Sequence, residues 1–158
     1  MITLLITIAI LGIIFFQDWK TRTIHIGLPI ALFSIGLYTN YAVLGWSGML
    51  QNMAFFLLVF LILILYVTIK ERAFVNPFEH YFGLGDLLFY IAVSPFLFLY
   101  YYIQYFILSL IFSIVLYFLL KKYFKQTTIP LAGFASLLLI VLLLIRWFFP
   151  TSDFAIVI

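Results

Sequence analysis

The sequence contains no cysteine and very little charge. The lack of cysteine excludes disulfide bonds, thiol catalysis and cysteine-based metal sites. Only 8% of the 158 residues are charged, whereas a soluble domain averages about 25%. Hydrophobic residues make up 68% of the chain and aromatic residues 22%, so too little polar surface remains for a water-soluble fold. We therefore predict an all-α, polytopic membrane protein embedded in a lipid bilayer.

Six apolar stretches are separated by short polar or turn-forming segments, and we predict that they form one membrane domain of six spans. They lie at about 1–16, 24–44, 51–69, 87–102, 104–120 and 130–149. The uncharged run 87–120 would form a single helix about 51 Å long, which is too long for a hydrocarbon core of about 30 Å. We therefore predict a helical hairpin there, with its turn near Tyr100 to Gln104.

The basic residues are distributed unevenly over the predicted loops. With six spans, the loops at 17–23, 70–86 and 121–128 face the same side, and they carry seven of the eight Lys and Arg residues. The positive-inside rule makes this side cytoplasmic and puts the N-terminus outside. Because the charges lie in short loops and indicate topology, no nucleic acid partner is expected.

Two aspartates lie next to predicted spans. Asp18 follows the first span and Asp86 precedes the fourth, so the predicted topology puts both at the cytoplasmic edge. Carboxylates that approach within about 3–6 Å hold one proton between them, because their charges repel. Such a pair can activate a water for attack on a carbonyl and protonate the leaving nitrogen. We expect Gly83 and Gly85 to let a substrate backbone come close to Asp86.

A structural interpretation of the same residues stays open. Asp86 stands at the start of a predicted helix, where free N–H groups and the helix dipole favour a carboxylate. Asp18 would then be an interfacial charge paired with Arg22. Lys20 and Arg22 either act as topology signals alone or contact the substrate and tune Asp18.

A metal site is a further alternative. His25 follows Asp18, while Glu79 and His80 precede Asp86, and histidine and carboxylate side chains are ordinary zinc ligands. No pair among them has the spacing of a zinc protease motif. We therefore expect neither a metal nor a cofactor.

Three segments together resemble the type IV prepilin peptidases, a family of G-x-G-D membrane aspartyl proteases. DWKTRTI (18–24) is similar to the first aspartate motif of that family, and GLGD (83–86) matches the second. IPLAGFASLLLI (129–140) resembles the Ile-Pro-led start of the family's last helix, including the basic loop before it. The resemblance covers nearly the whole chain.

The resemblance implies a membrane aspartic endopeptidase of the inner (cytoplasmic) membrane, with Asp18 and Asp86 as its catalytic pair. Its substrates would be prepilin-like proteins, which carry a short basic leader before an apolar helix and are cut at the cytoplasmic face. Without cysteine or a long first loop, the chain resembles the short form that has peptidase activity alone. The supporting or substrate-binding positions implied by the motifs are Gly83, Gly85, Lys20, Arg22 and Pro130.

The chain departs from the family pattern at two places. Leu88 stands where members often carry Lys, and the first motif continues as Ile24-His25-Ile26 where members usually have Ile-Pro-Asn. Two rival functions also stay open. One is an intramembrane protease of the presenilin and signal-peptide-peptidase type, whose aspartates lie within the bilayer. The other is a non-enzymatic transporter, channel or assembly protein that uses Asp18 and Asp86 as polar interface residues.

Overall fold

The computed structural model of the chain describes residues 2–71, 83–123 and 128–148. Throughout this described part the regular structure is helical, which confirms the predicted all-α fold. The helices are α1 (Ile2–Thr21), a long segment Gly27–Glu71 that Gly45 divides into α2 (27–44) and α3 (46–71), α4 (Leu84–Val93), α5 (Leu99–Leu120) and α6 (Leu131–Phe148).

Four helical segments of the described part are long and apolar enough to cross a membrane. They are Ile2–Thr21, Gly27–Glu71, Leu99–Leu120 and Leu131–Phe148. This is the pattern expected of a multi-pass membrane protein. The six spans and the external N-terminus stay predictions.

The segment Gly27–Glu71 folds back on itself at Gly45. This glycine has φ 64° and ψ 176°, a backbone conformation that glycine adopts without the steric penalty of a side chain. Asn40 before the break and Asn52 after it both donate hydrogen bonds to the segment 94–97. The helices α2 and α3 therefore run antiparallel, which agrees with the turn predicted after residue 44.

The hairpin predicted in the run 87–120 is present, but its turn lies earlier than predicted. After α4, a 3-10 turn at Ser94–Phe96 leads into two extended residues before α5 begins. The predicted turn at Tyr100 to Gln104 was wrong, because these residues lie inside α5. Tyr102 contributes to the core, since its side chain is fully buried and donates to the carbonyl of Tyr90 at 2.8 Å.

The turn forms early because the neighbouring helices supply donors to the carbonyl groups that it frees. The Nδ2 group of Asn52 donates to the carbonyls of Ser94 and Leu97 at 2.8 and 2.6 Å. Asn40 donates to the carbonyl of Pro95 at 3.0 Å. An unsatisfied backbone group in hydrocarbon costs several kcal/mol. These two amides therefore let α4 end inside the protein.

The helix α4 is the central element of the fold. With its 3-10 extension it covers Leu84–Phe96, about 20 Å at 1.5 Å per residue, which is shorter than a hydrocarbon core. Phe89, Tyr90 and Val93 have no exposed surface. The helices α2 and α3 pack against α4, while α1 and α5 pack against α6. This arrangement brings the end of α1 and the starts of α4 and α6 to one place.

Candidate active site

Asp18 lies in the last turn of α1 and faces the protein interior. Its side chain is only 5% exposed, and its Oδ2 accepts a hydrogen bond of 2.6 Å from the backbone N–H of Gly133 in α6. Asp18 is thus part of the helix packing, in contrast to the interfacial charge that the structural interpretation expected.

Asp86 is the third residue of α4 and has partners on two elements. Its Oδ2 accepts from the N–H of Gly83, the residue that caps α4, at 3.3 Å. Its Oδ1 accepts from the N–H of Ala132 in α6 at 2.7 Å. Asp86 therefore caps its own helix, as the structural interpretation expected, and also contacts α6.

The N-terminus of α6 joins the two carboxylates through consecutive backbone N–H groups, those of Ala132 and Gly133. The first N–H groups of a helix have no partner within the helix, and they lie at the positive end of its dipole. Pro130 directly precedes α6, and its carbonyl accepts from the N–H of Phe134 at 3.0 Å. The Ile-Pro-led segment thus starts the helix that binds both aspartates.

Gly133 makes this close approach of α6 to α1 possible. A Cβ atom at this position would lie 3.0 Å from Oδ2 of Asp18 and 3.1 Å from its Cβ. The sequence motifs did not single out Gly133. The signal that could have found it is the pair of small residues, Ala132-Gly133, directly after the helix start.

Gly83 and Gly85 have close contacts within the chain itself. A Cβ atom at Gly85 would lie 3.1 Å from the side chain of Ile24, and one at Gly83 would lie 3.1 Å from Oδ2 of Asp86. A side chain at Gly85 would therefore collide with the segment between α1 and α2, while the approach of a substrate backbone to these glycines stays a prediction. In the structure the G-x-G pattern serves the packing of α4.

Arg22 is the third charged group of the site. It follows α1 directly, has φ 58°, and its terminal guanidinium nitrogens are buried. Burial lowers the pKa of Arg22, and the charges of Asp18, Tyr117 and Asp86 act in the opposite direction. The guanidinium thus lies within electrostatic range of both carboxylates. A left-handed backbone at a residue other than glycine is uncommon, and such residues cluster at functional sites.

Lys20 does not join the site. Its side chain is exposed, and its ammonium group lies 5.8 Å from the centre of the Phe16 ring. Trp19 instead packs edge-on against Phe134 of α6, with ring centres 5.9 Å apart. This aromatic contact between α1 and α6, which the motifs did not predict, lies beside the residues that hold Asp18.

The structure describes some of the residues of the metal alternative. His25 caps α2, since its Nδ1 accepts from the N–H of Gly27 at 3.2 Å. Glu79 and His80 lie outside the described residues. Within residues 2–71, 83–123 and 128–148, no group of three His, Cys, Asp or Glu side chains could hold a metal ion.

The comparison with protein families gives one match. A model of the "Type IV leader peptidase family" matches residues 5–120, a range that contains Asp18 and Asp86 and ends before α6. Neither the curated proteins nor the solved structures gave a match. The family match covers well over half of the chain and confirms the predicted family, although the third motif, at 129–140, lies outside the matched range. The chain belongs to the type IV leader peptidase family.

Proposed function

We propose that the protein is an aspartic endopeptidase that removes the short basic leader of prepilin-like proteins, with Asp18 and Asp86 as the catalytic pair. One observation carries this proposal. Two aspartates from distant parts of the sequence accept hydrogen bonds from consecutive N–H groups at the start of α6. Two carboxyl groups held next to each other in a partly buried place are the apparatus of aspartic proteolysis.

In the proposed reaction the pair begins with one proton. The ionised carboxylate takes a proton from a bound water as the water oxygen forms a bond to the scissile carbonyl carbon. The protonated partner then gives its proton to the leaving nitrogen as the C–N bond breaks. The products are a carboxylic acid and an amine, and the pair is left with one proton again, ready for the next turnover.

The surroundings of the pair support this chemistry. The N–H groups of Ala132 and Gly133 fix one oxygen of each carboxylate, so the positions of both acids are set before a substrate arrives. The positive end of the α6 dipole and the guanidinium of Arg22 offset part of the desolvation of the negative charge. Groups positioned in advance need no rearrangement during the reaction.

The proposed substrates match the membrane setting of the site. The positive-inside count supports a site at the cytoplasmic side, where the basic leader of a prepilin-like protein would lie. The apolar helix of the substrate would remain in lipid and pack against the outer faces of the helices. We propose the inner membrane as the location for the same reason.

Co-expression with a candidate prepilin tests the proposal. We expect leader removal, seen as a gel shift and mapped by mass spectrometry, for the wild type, and its near-complete loss for Asp18→Asn and for Asp86→Asn. Lys20→Gln is the matched control, because this charge lies two residues from Asp18 but outside the site. Cleavage by both Asn variants at the wild-type rate would refute the assignment. Cleavage within the substrate's apolar helix would favour a presenilin-like protease.

A further inference from the structure

The helices α3 and α5 extend well past the level of the two aspartates. Both run antiparallel to α4, and the ring of Tyr90 lies 5.2 Å from that of Phe56 in α3 and 5.0 Å from that of Phe106 in α5. Asp86 lies one helical turn before Tyr90. It is therefore level with about residue 60 of α3 and about residue 110 of α5.

The first charged residues on these two helices come much later. Lys70 and Lys121 lie about ten residues beyond the level of Asp86, which corresponds to about 15 Å along a helix. The segments in between, 61–69 and 111–119, contain no charged residue. The plane of Lys70 and Lys121 is thus well separated from the plane of the aspartates. Lys20 lies two residues from Asp18, but its side chain is exposed, and the long aliphatic stem of a lysine lets its ammonium group reach towards the headgroups.

These intervening segments expose a broad apolar surface. Leu61, Leu65 and Ile69 of α3 are 58%, 53% and 77% exposed, and Ile111 and Leu119 of α5 are 54% and 71% exposed. Moving this surface from lipid into water would cost about 25 cal/mol of free energy for each Å². Two helices that expose such surfaces over the same depth are best placed in lipid.

The bilayer thickness allows this placement. In the other direction, α6 runs about 20 Å from Gly133 to Arg146, and α3 runs about 21 Å from residue 60 back to its start after Gly45. If the far boundary of a hydrocarbon core of about 30 Å lies at the level of Arg146 or of this turn, about 10 Å of hydrocarbon remains beyond the aspartates towards Lys70 and Lys121.

We infer that Asp18 and Asp86 lie about 10 Å inside the hydrocarbon core, below the plane marked by Lys70 and Lys121. The site is thus submerged in the leaflet, whereas the sequence had suggested a position at the surface. The consequence for the substrate rests on the proposed function. The scissile bond, at the junction of a basic leader and an apolar helix, must be drawn from the headgroups into the leaflet before it is cut.

Single cysteines can measure this depth, because the chain has none of its own. Three pairs of variants cover the depth. Leu61→Cys and Ile111→Cys lie at the level of the aspartates, and Leu65→Cys and Val115→Cys lie one helical turn beyond it. Lys70→Cys and Lys121→Cys lie where the uncharged segments of the two helices end. Each variant is spin-labelled in phosphatidylcholine–phosphatidylglycerol vesicles. Collisions with oxygen, which concentrates in lipid, are compared with collisions with a water-soluble nickel chelate. All six side chains are at least partly exposed, and the elution of each variant checks its fold.

We expect the labels at 61, 65, 111 and 115 to collide mainly with oxygen and those at 70 and 121 mainly with nickel. The inference is overturned if the labels at 61 and 111 show the nickel access of those at 70 and 121, since the aspartates would then be at the surface. Trp46→Cys, at the turn between α2 and α3, should show high nickel access, because this turn is expected at the opposite membrane–water interface. It thereby checks the position of α3 across the bilayer. None of these measurements depends on proteolysis. Failure of the wild type to remove a leader would therefore refute the proposed function without changing the measured depth of the aspartates.

Discussion

The two ends of α4 are both bound by neighbouring helices, and they are stabilised in opposite ways. At the C-terminal end, Asn40 and Asn52 donate hydrogen bonds to carbonyl groups of the turn that follows. At the N-terminal end, Asp86 accepts hydrogen bonds from its own cap and from Ala132 of α6. One end is bound by neutral donors and the other by an acid.

The difference separates a structural polar contact from a reactive one. The backbone groups at a helix end have no partner within the helix, and a buried end has no water to replace that partner. Amide side chains supply those partners without exchanging protons. Only the end with Asp86 and Asp18 has groups that can take up and release a proton. Polar residues within a membrane protein are therefore candidates for chemistry only where their partners include an ionisable group.

Removal of the acids should have the largest effect. We expect Asp18→Asn and Asp86→Asn each to lower kcat/KM for leader removal by about 10³–10⁴-fold. The double variant should be hardly worse than either single one, because the two acids work as a unit. Initial rates with purified enzyme in detergent measure all three. Additive losses in the double variant would show that the aspartates act independently.

Gly133→Ala tests the position of the acids without changing their charge. The added Cβ atom would lie 3.0 Å from Oδ2 of Asp18, so the Asp18 carboxylate and α6 must move apart by a few tenths of an ångström. A displacement of about 1 Å can cost about 100-fold in rate, and we expect this smaller one to lower kcat by about 10-fold or more. Gly12→Ala is the matched control in α1, since a Cβ atom there has no neighbour within 4 Å. Equal activity of the two variants would contradict the role of the α6 contact.

The sequence predicted the helices and both acids because hydropathy and charge carry that information directly. The run of apolar residues predicts helices in a membrane, and the uneven distribution of Lys and Arg put Asp18 and Asp86 on one side. The contacts of α6 could not be predicted in this way. Ala132 and Gly133 bind the acids through backbone N–H groups, which every residue except proline possesses, so the small size of the two side chains is the one local sign of this contact.

The error in the position of the second turn has a similar cause. Polar and aromatic residues at 100–104 suggested a turn at the headgroup level, whereas the chain turns at 94–98 within the protein. The turn depends on donors from Asn40 and Asn52, which are distant in sequence. Local composition does not report such a partner. A buried asparagine in an apolar span is the feature that could have suggested it.

Asn52→Leu should affect stability and leave the chemistry of the folded enzyme intact. The variant removes two hydrogen bonds, of 2.8 and 2.6 Å, to buried carbonyls, and we expect a loss of about 1–3 kcal/mol. Asn40→Leu removes one bond of 3.0 Å and should lose less. Thermal unfolding in detergent measures both. A loss of kcat per folded molecule comparable to that of Gly133→Ala would contradict the assignment of this end as structural.

Arg22 should give the smallest effect, and it tests whether a cation supports the acids. Arg22→Gly removes the charge while suiting the backbone, since φ 58° favours glycine. We expect kcat/KM to fall by about tenfold, in line with a charge-assisted contact of about 1.5 kcal/mol or more. Stability should stay the same or rise.

The pH dependence of Arg22→Gly distinguishes charge from packing. Without the guanidinium, the carboxylate pair ionises less readily, so the acidic limb of the rate profile should move to higher pH. Arg22→Lys keeps a positive charge and should recover part of the shift. Lys20→Gly, which removes a charge outside the site, should leave the profile unchanged. An equal shift in both glycine variants would mean that the acids respond to the net charge of the membrane surface. Arg22 would then have no specific electrostatic effect on Asp18 and Asp86.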